Sequence, residues 1–368
     1  MTDYEVIAYR PEFKDQVVAL YGDAFRLAPL ECRRYLEWKH ERNPYIREPT
    51  LFVARDGHGS ILGMRGFYGT CWKVAGQRIV IPCADDFAIV PGERNKGLMT
   101  GIMRAAIEAL AQRGYSQLLN ASGGMVTVLQ SLAMGWQSLG PMEAVARLSP
   151  RERIRRTLRK LAEGKPFVWR FAREKAHGDA ACFVRLDRSG RRSASRGGSV
   201  VVGSLPRPEA MAQLVDRRPD DGRIGHVRDA AFFRWRFDNP AREYRFLYHE
   251  RDGDLAGFLI VGRSRSYRPN KPPFNIVDWE ARTENVRAEL LDMALAWGRF
   301  PLIGTWSASL SSSGRKMLTD HGFHPTDLDL RARGMPCVLL KNLGTPGSPA
   351  AAVDGAAWDV RLIDSMHG

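Results

Sequence analysis

The chain has 368 residues, of which 44% are hydrophobic, 10% aromatic and 26% charged. That composition is ordinary for a globular protein and long enough for two domains; it excludes a wholly disordered chain or a fold that must be held by metals or disulfides. Lys and Arg number 55 against 41 Asp and Glu, and the resulting +14 favours anionic partners such as nucleic acid, acidic lipid or a phosphorylated cofactor.

Residues 11–25 read as an amphipathic helix with Val17, Val18, Leu20 and Tyr21 on its inner side, and 31–42 as a second helix stopped by Asn43-Pro44. Residues 51–54 and 61–64, separated by Arg55-Asp56-Gly57, form a predicted hairpin, and further strands are expected at 71–74 and 78–90. A long helix follows over about 96–113, with Met99, Met103, Ala106 and Leu110 at helical spacing. A short strand at 116–120 and a helix at 126–134, closed by Gly135, complete the first half. Residues 151–175 hold ten Lys or Arg and three Glu, a charge of +7, with Ile154, Leu158 and Leu161 at helical spacing. This basic helix is expected to pack its apolar side between two domains, with a basic loop at 187–198 after it.

Beyond that loop the first pattern restarts. Trp38, followed by Asn43-Pro44, is echoed by Trp235 and Asn239-Pro240, at an offset of 197; Arg55-Asp56-Gly57 is echoed by Arg251-Asp252-Gly253, at 196. The long helix returns at 286–297, and Gly135-Trp136 returns as Gly322-Phe323, at 187. Preserved order with a slowly drifting offset indicates a duplicated domain with loop deletions. The boundaries expected are 1–150, a basic linker at 151–198, a second copy at 199–343, and a flexible tail at 344–368 in which Trp358 is an anchor candidate.

The sharpest local feature is the run from Asp85 to Gly101: a strand, a break at Pro91, then Arg94, Asn95, Lys96, Gly97, Leu98, Met99 and Thr100 at a helix start. Unpaired N–H groups and the helix dipole at that start, with two cations and a glycine that admits close approach, make a pyrophosphate cradle. It is neither a Walker A motif nor G-x-G-x-x-G. Strand, R-x-x-G-x loop, long helix, short strand ending in Asn120 and a helix closing at Gly135-Trp136 together resemble the GNAT superfamily of acyl-CoA-dependent N-acetyltransferases. The family pattern (Q/R)-x-x-G-x-(G/A) reads here Arg94-Asn-Lys-Gly97-Leu-Met99, departing at Met99. The resemblance covers residues 4–148 and extends weakly over 199–343. It implies an α/β (α+β) fold of two tandem GNAT-like domains, each a mixed, mainly antiparallel sheet flanked by helices. In the second copy, residues 278–287 lack a glycine and carry Glu280 and Glu284, which would repel a pyrophosphate, so only the first copy is expected to bind CoA.

The resemblance also implies roles. The backbone N–H of Ala88 or Ile89 would meet the thioester carbonyl, and Asn120 and Ser122 would bind pantetheine amides. Asp85 or Asp86 would act as general base; strand alternation puts them on opposite faces, and Asp85, sharing parity with Cys83 and Phe87, is favoured. Ser131 stands where many members carry a tyrosine that protonates the leaving thiolate. The implied co-substrate is acetyl-CoA, with no metal, and the acceptor a small-molecule amine, an amino sugar among the candidates. A longer acyl donor and a non-catalytic protein on an anionic surface remain the alternatives.

No nucleic-acid platform is evident, while a membrane surface stays open as a partner for 151–175. Cys32, Cys71, Cys83, Cys182 and Cys337 form no C-x-x-C pair. With neither a signal sequence nor a membrane span in view, the expectation is a cytoplasmic protein with reduced thiols.

Overall fold

The computed structural model describes residues 4–25, 28–121, 125–162, 192–195, 198–264, 274–325, 337–344 and 355–365. The first half runs β1 (Tyr4–Ala8), α1 (Lys14–Phe25), α2 (Pro29–Leu36), a π-helical turn (Glu37–Glu41), β2 (Thr50–Asp56), β3 (Ile61–Val74), β4 (Gln77–Ile89), α3 (Leu98–Gln112), β5 (Gln117–Asn120), α4 (Met125–Ala133), β6 (Gln137–Pro141), β7 (Ala144–Leu148) and α5 (Pro150–Ala162). The strands expected separately at 61–64 and 71–74 are one long strand. Ala75 and Gly76, with φ of 47° and 81°, form the tight turn that folds it back onto β4. Helix α3 buries Leu98, Ile102, Met103, Ala106 and Leu110 against one face of the sheet. Helices α1 and α2 cover the other face, where Val17, Tyr21 and Leu36 cluster with Leu51, Met64 and Ala88.

The second half repeats the plan: β8 (Arg192–Ser195), β9 (Gly198–Gly203), α6 (Pro208–Asp216), β10 (Ile224–His226), α7 (Ala230–Phe237), β11 (Arg242–Arg251), β12 (Asp254–Ser264), β13 (Phe274–Ala281), α8 (Glu284–Gly298), β14 (Leu302–Trp306), α9 (Ser312–Asp320), β15 (His324–Pro325), β16 (Cys337–Asn342) and β17 (Trp358–Asp359). Asp252 and Gly253, both at positive φ, turn the β11–β12 hairpin. Within the stretch expected as a loop, β8 pairs with β9.

Each half donates a strand to the other. The first sheet runs β1-β2-β3-β4-β5-β16-β6, and the second β15-β7-β14-β13-β12-β11-β9-β8. Strand β16, late in the chain, fills the gap between β5 and β6, while β7 pairs with β14 and β15. The expected boundaries at 150 and 199 therefore do not coincide with sheet membership. The repeated tryptophans meet where the halves join. Trp38 and Trp235 stack at 5.0 Å and 11°, and each indole N–H donates to the other residue's carbonyl oxygen, at 2.6 and 2.8 Å. Both are buried, so they are core anchors.

Two expectations need correction. Residues 355–365 do not form a flexible tail: Trp358, Val360, Leu362 and Ile363 are buried, and β17 pairs with β10, which in turn pairs with β3. Four large apolar side chains in that short stretch outweigh the Gly- and Ala-rich composition around it. Helix α5 does not bury its apolar side either. Ile154 is 61% exposed and Leu158 60%. The side chain of Leu161 and all of 163–175 lie outside the described residues.

Candidate functional site

Strands β4 and β5 meet at a single pair, Cys83 with Leu119, and diverge beyond it, opening the sheet beside residues 84–89. Within that opening β4 carries a bulge. Gly66 pairs with Asp85 and Arg65 with Phe87, leaving Asp86 as the extra residue, at φ 51°. The bulge overturns the alternation expected for the two aspartates. Asp86 turns onto the same face as Asp85, and Ala88 returns to that face, so Phe87 no longer shares parity with Cys83.

Both carboxylates converge on a buried ammonium. Lys39 Nζ lies 2.6 Å from Asp85 Oδ2, 2.8 Å from Asp86 Oδ2 and 3.0 Å from the Tyr35 hydroxyl. It also stands over the rings of Tyr35 and Tyr68. The Tyr21 hydroxyl donates to Asp86 Oδ2 at 2.8 Å, and His40 Nε2 lies 2.9 Å from the same oxygen. Burial alone would raise the Asp86 pKa, but the Lys39 charge and His40 hold it below the usual carboxylate value. Burial likewise works against the Lys39 charge, and the two carboxylates outweigh it, raising the pKa. Burial pushes the Tyr21 and Tyr35 hydroxyls well up, so both stay protonated, Tyr21 donating to Asp86 and Tyr35 accepting from Lys39; it also pushes the Cys83 thiol to about 11. Arg65, 3% exposed, adds another cation beside the bulge; its Nε and Nη2 have no hydrogen-bond partner among the described residues. Asp85 is the more open acid, its side chain 17% exposed against 4% for Asp86.

Lys39, His40, Tyr21 and Tyr35 were not singled out as site residues from the sequence. Lys39 and His40 sit on the π-helical turn, 46 residues before the aspartates, in a segment read only for its repeated tryptophan. A signal was present: the second copy keeps a cation at Arg236 but has Phe237 where the first has His40. Gly66 makes room for the imidazole, since a Cβ there would stand 2.8 Å from it.

The register of β3 against β4 separates the two candidate backbone donors. Val90 N–H donates to the Leu62 carbonyl at 2.9 Å. Alternation then turns Ala88 N–H toward Met64 and Ile89 N–H away from β3, into the opening. The Ile89 carbonyl follows, accepting from Arg94 Nε at 3.3 Å.

Helix α3 starts at that opening. Gly97, its N-cap, has φ 81° and no side-chain cap, and the first turn holds no acid. Gly101 N–H is the first to donate back, to the Gly97 carbonyl. The N–H groups of Leu98, Met99 and Thr100 therefore precede the helical ladder. A Cβ on Gly97 would meet nothing within 4 Å, so the space above the turn is open. Asn95, at φ 65°, helps bend the loop, and Arg94 and Lys96 are exposed, with Lys96 Nζ 3.1 Å from Glu93. Leu98 packs its side chain into the core and offers the opening only its backbone. These residues fit a diphosphate: free N–H groups, a glycine that leaves room and two nearby cations.

Of the remaining expected residues, Asn120 is buried at the end of β5, where its backbone pairs with Leu339. Ser131 lies in α4 with a buried hydroxyl that has no hydrogen-bond partner among the described residues. No hydrogen bond among the described residues ties Ser131 to the Lys39 cluster. Ser122 lies outside the described residues.

The second half has the same bulge, at Val277 between Ile276 and Asp278, with different surroundings among the described residues. Thr283 caps α8 with its own hydroxyl, which accepts from Val286 N–H. Glu280 is not turned toward a phosphate as the sequence reading expected. It is buried and held by Arg218, Arg228 and Arg361, and burial's upward push is overcome by these cations, which lower its pKa to about 2. Arg361 and Asp359 come from the C-terminal segment, which thus plugs this half.

No protein-family model and no curated protein matches the chain by sequence. Solved structures do match by shape. A probable N-acyltransferase of Enterococcus faecalis V583, described as a conserved protein of unknown function, superposes with a TM-score of 0.58 at 12% identity, over 93% of this chain and 73% of that one. A tandem GNAT protein from the clavulanic acid biosynthesis pathway gives 0.53 at 15% identity, over 93% and 99% of the two chains. The N-myristoyltransferase of Saccharomyces cerevisiae, solved with bound myristoyl-CoA, gives 0.51 at 9% identity, over 92% and 82%. With the diverging strands, the bulge and the glycine-led helix already in place, these likenesses identify the architecture: the chain has the tandem fold of the GNAT superfamily.

Proposed function

We propose that the chain is an acyl-CoA-dependent N-acyltransferase whose first half binds the donor and carries the chemistry. The observation that carries this reading is the uncapped, glycine-led start of α3 facing the divergence of β4 and β5. In this reading the N–H groups of Leu98, Met99 and Thr100, with Arg94, Asn95, Lys96 and Gly97, hold the diphosphate, and Asn120 and Ser122 bind the pantetheine arm. The bound co-substrate supplies an activated thioester. Ile89 N–H, rather than Ala88 N–H, donates to the carbonyl oxygen as negative charge develops there; such a fixed donor is most effective where water is excluded.

An amine is protonated near neutral pH and must lose that proton before it attacks. Asp85, the more open carboxylate, takes the proton. Asp86 is bound by Lys39, Tyr21 and His40 and keeps Lys39 in place. Ser131 is the candidate donor to the leaving thiolate, and a much weaker acid than a phenol would be. The acetyl group is the acyl group we favour and a small-molecule amine the acceptor, an amino sugar being the class suggested by resemblance to other tandem chains. A longer acyl donor is the second reading; the neighbour solved with myristoyl-CoA favours it.

The test is titration calorimetry with CoA, acetyl-CoA and longer acyl-CoAs, accompanied by thermal shifts. One site per chain is expected, and a ligand at 100 times its Kd stabilises a fold by about 2.7 kcal/mol. The rank order of the acyl-CoAs decides between the two donors. Two equivalent sites, or none, would sink the reading.

A further inference from the structure

We propose that α5 is a docking helix that lays Ile154 and Leu158 on an anionic lipid surface. The helix is built to stand firm. Ser149 accepts the Glu152 N–H through its hydroxyl, Pro150 opens the first turn, and Ser149 N–H donates to the Pro301 carbonyl. Its root is therefore tied to the second sheet, where Leu148 pairs with Leu302. Yet its apolar stripe is turned outward. Ile154 and Leu158, one turn apart, are 61% and 60% exposed, whereas α3 buries the equivalent stripe. The sequence continues the spacing at Leu161.

Charge selects the occupant. Residues 150–162 hold six Arg or Lys and one Glu, and the described Arg151, Arg153 and Arg155 are all exposed. Long basic side chains flanking an aliphatic stripe can reach lipid phosphates while the stripe enters the acyl boundary. A second copy of this chain would set the same positive excess against itself. Nucleic acid would use the arginines and leave the aliphatic pair in water. An anionic bilayer uses both features. Among the described residues no helix is long and apolar enough to cross a membrane, so attachment is peripheral.

Flotation of the full chain with phosphatidylcholine vesicles, with and without phosphatidylglycerol, tests this at ~0.15 M salt, where exposed charges are screened beyond ~8 Å. Binding is expected to the anionic vesicles only. Ile154→Glu with Leu158→Glu should lower the bound fraction at least ~10-fold, because burial of two aliphatic side chains is lost. Both sites are exposed, so circular dichroism and Tm should not change. Arg151→Gln, Arg153→Gln and Arg155→Gln together should remove the preference for anionic lipid. Absence of wild-type binding would overturn the proposal, as would a glutamate variant that binds like wild type, since adsorption by charge alone leaves the stripe unused. A dimer seen by light scattering without lipid, and broken by the glutamate pair, would overturn it in favour of a second copy.

Discussion

Lys39 and Arg236 stand 197 residues apart at equivalent places in the two halves, each one residue after the stacked tryptophan, and they hold different things. Lys39 gathers two carboxylates of its own half at the edge of an open strand pair. Arg236 donates to the carbonyls of Ile363 and Ser365 and so clamps the C-terminal segment against the second half. The two helix starts differ in the same sense: Gly97 leaves its turn uncapped and open, whereas Thr283 caps its own. The two halves share one scaffold. The helix start left uncapped lies in the half whose cation gathers carboxylates, and the self-capped one in the half whose cation holds backbone carbonyls.

The largest expected effect lies at the carboxylates. Asp85→Asn removes the proposed proton acceptor at constant size and should lower kcat by ~10²–10⁴ with little change in the KM for the acyl donor. A crippled Asp86→Asn beside an active Asp85→Asn would exchange their roles. Next come the paired cations. Lys39→Met strands the buried Asp86 carboxylate and the half-buried Asp85 beside it, and should cost about 3–5 kcal/mol of stability in urea unfolding, together with turnover. Arg236→Met should also lower Tm, yet leave kcat near wild type in the folded fraction; loss of turnover there would break the comparison.

Smaller is the effect at the helix start. Gly97→Asp forces an L-residue to φ 81° and places a carboxylate at the cradle, so CoA affinity should fall about 100-fold by calorimetry. Thr283→Gly should create no second site. The smallest concerns the plug. Burial pushes Asp364 up to about 7 from an ordinary 3.8, and it faces His226, which burial and Arg228 push down to about 3. Between those two Asp364 values the native state keeps a proton that the unfolded chain has released, so this carboxyl costs stability as pH rises through that window. His226 has the opposite sign, costing stability as pH falls from 6.5 toward 3. Asp364→Asn keeps an acceptor for Arg361 N–H and should stabilise by ~2 kcal/mol at about pH 8, with the gain vanishing near pH 4.

The features written locally were readable from the chain. Gly97, Arg94 and Lys96 lie within four residues of one another at a strand-to-helix junction, and the duplicated Trp and Asp-Gly pairs kept their order. The bulge was not readable, because period-two alternation assumes that no residue is extra, and one extra residue at Asp86 reverses the face of everything after it. Lys39 and His40 escaped notice because their partners are remote in sequence and a helix turn joins them only in space. Composition misled at 355–365, where a few large side chains decide the packing. It was also incomplete at α5, where periodicity marks an apolar stripe without saying which way it points.

The crossed strands set an order for synthesis. Strand β5 ends at Asn120, but its neighbour β16 begins only at Cys337, so the first sheet waits for 217 further residues before its gap closes. At ~5–20 residues per second, that edge stays unpaired for roughly 10–40 s on the ribosome. An unpaired edge invites pairing with other chains. A nascent chain of this kind needs a chaperone or quick completion, and a ribosome stalled past residue 150 would release a fragment with an incomplete sheet.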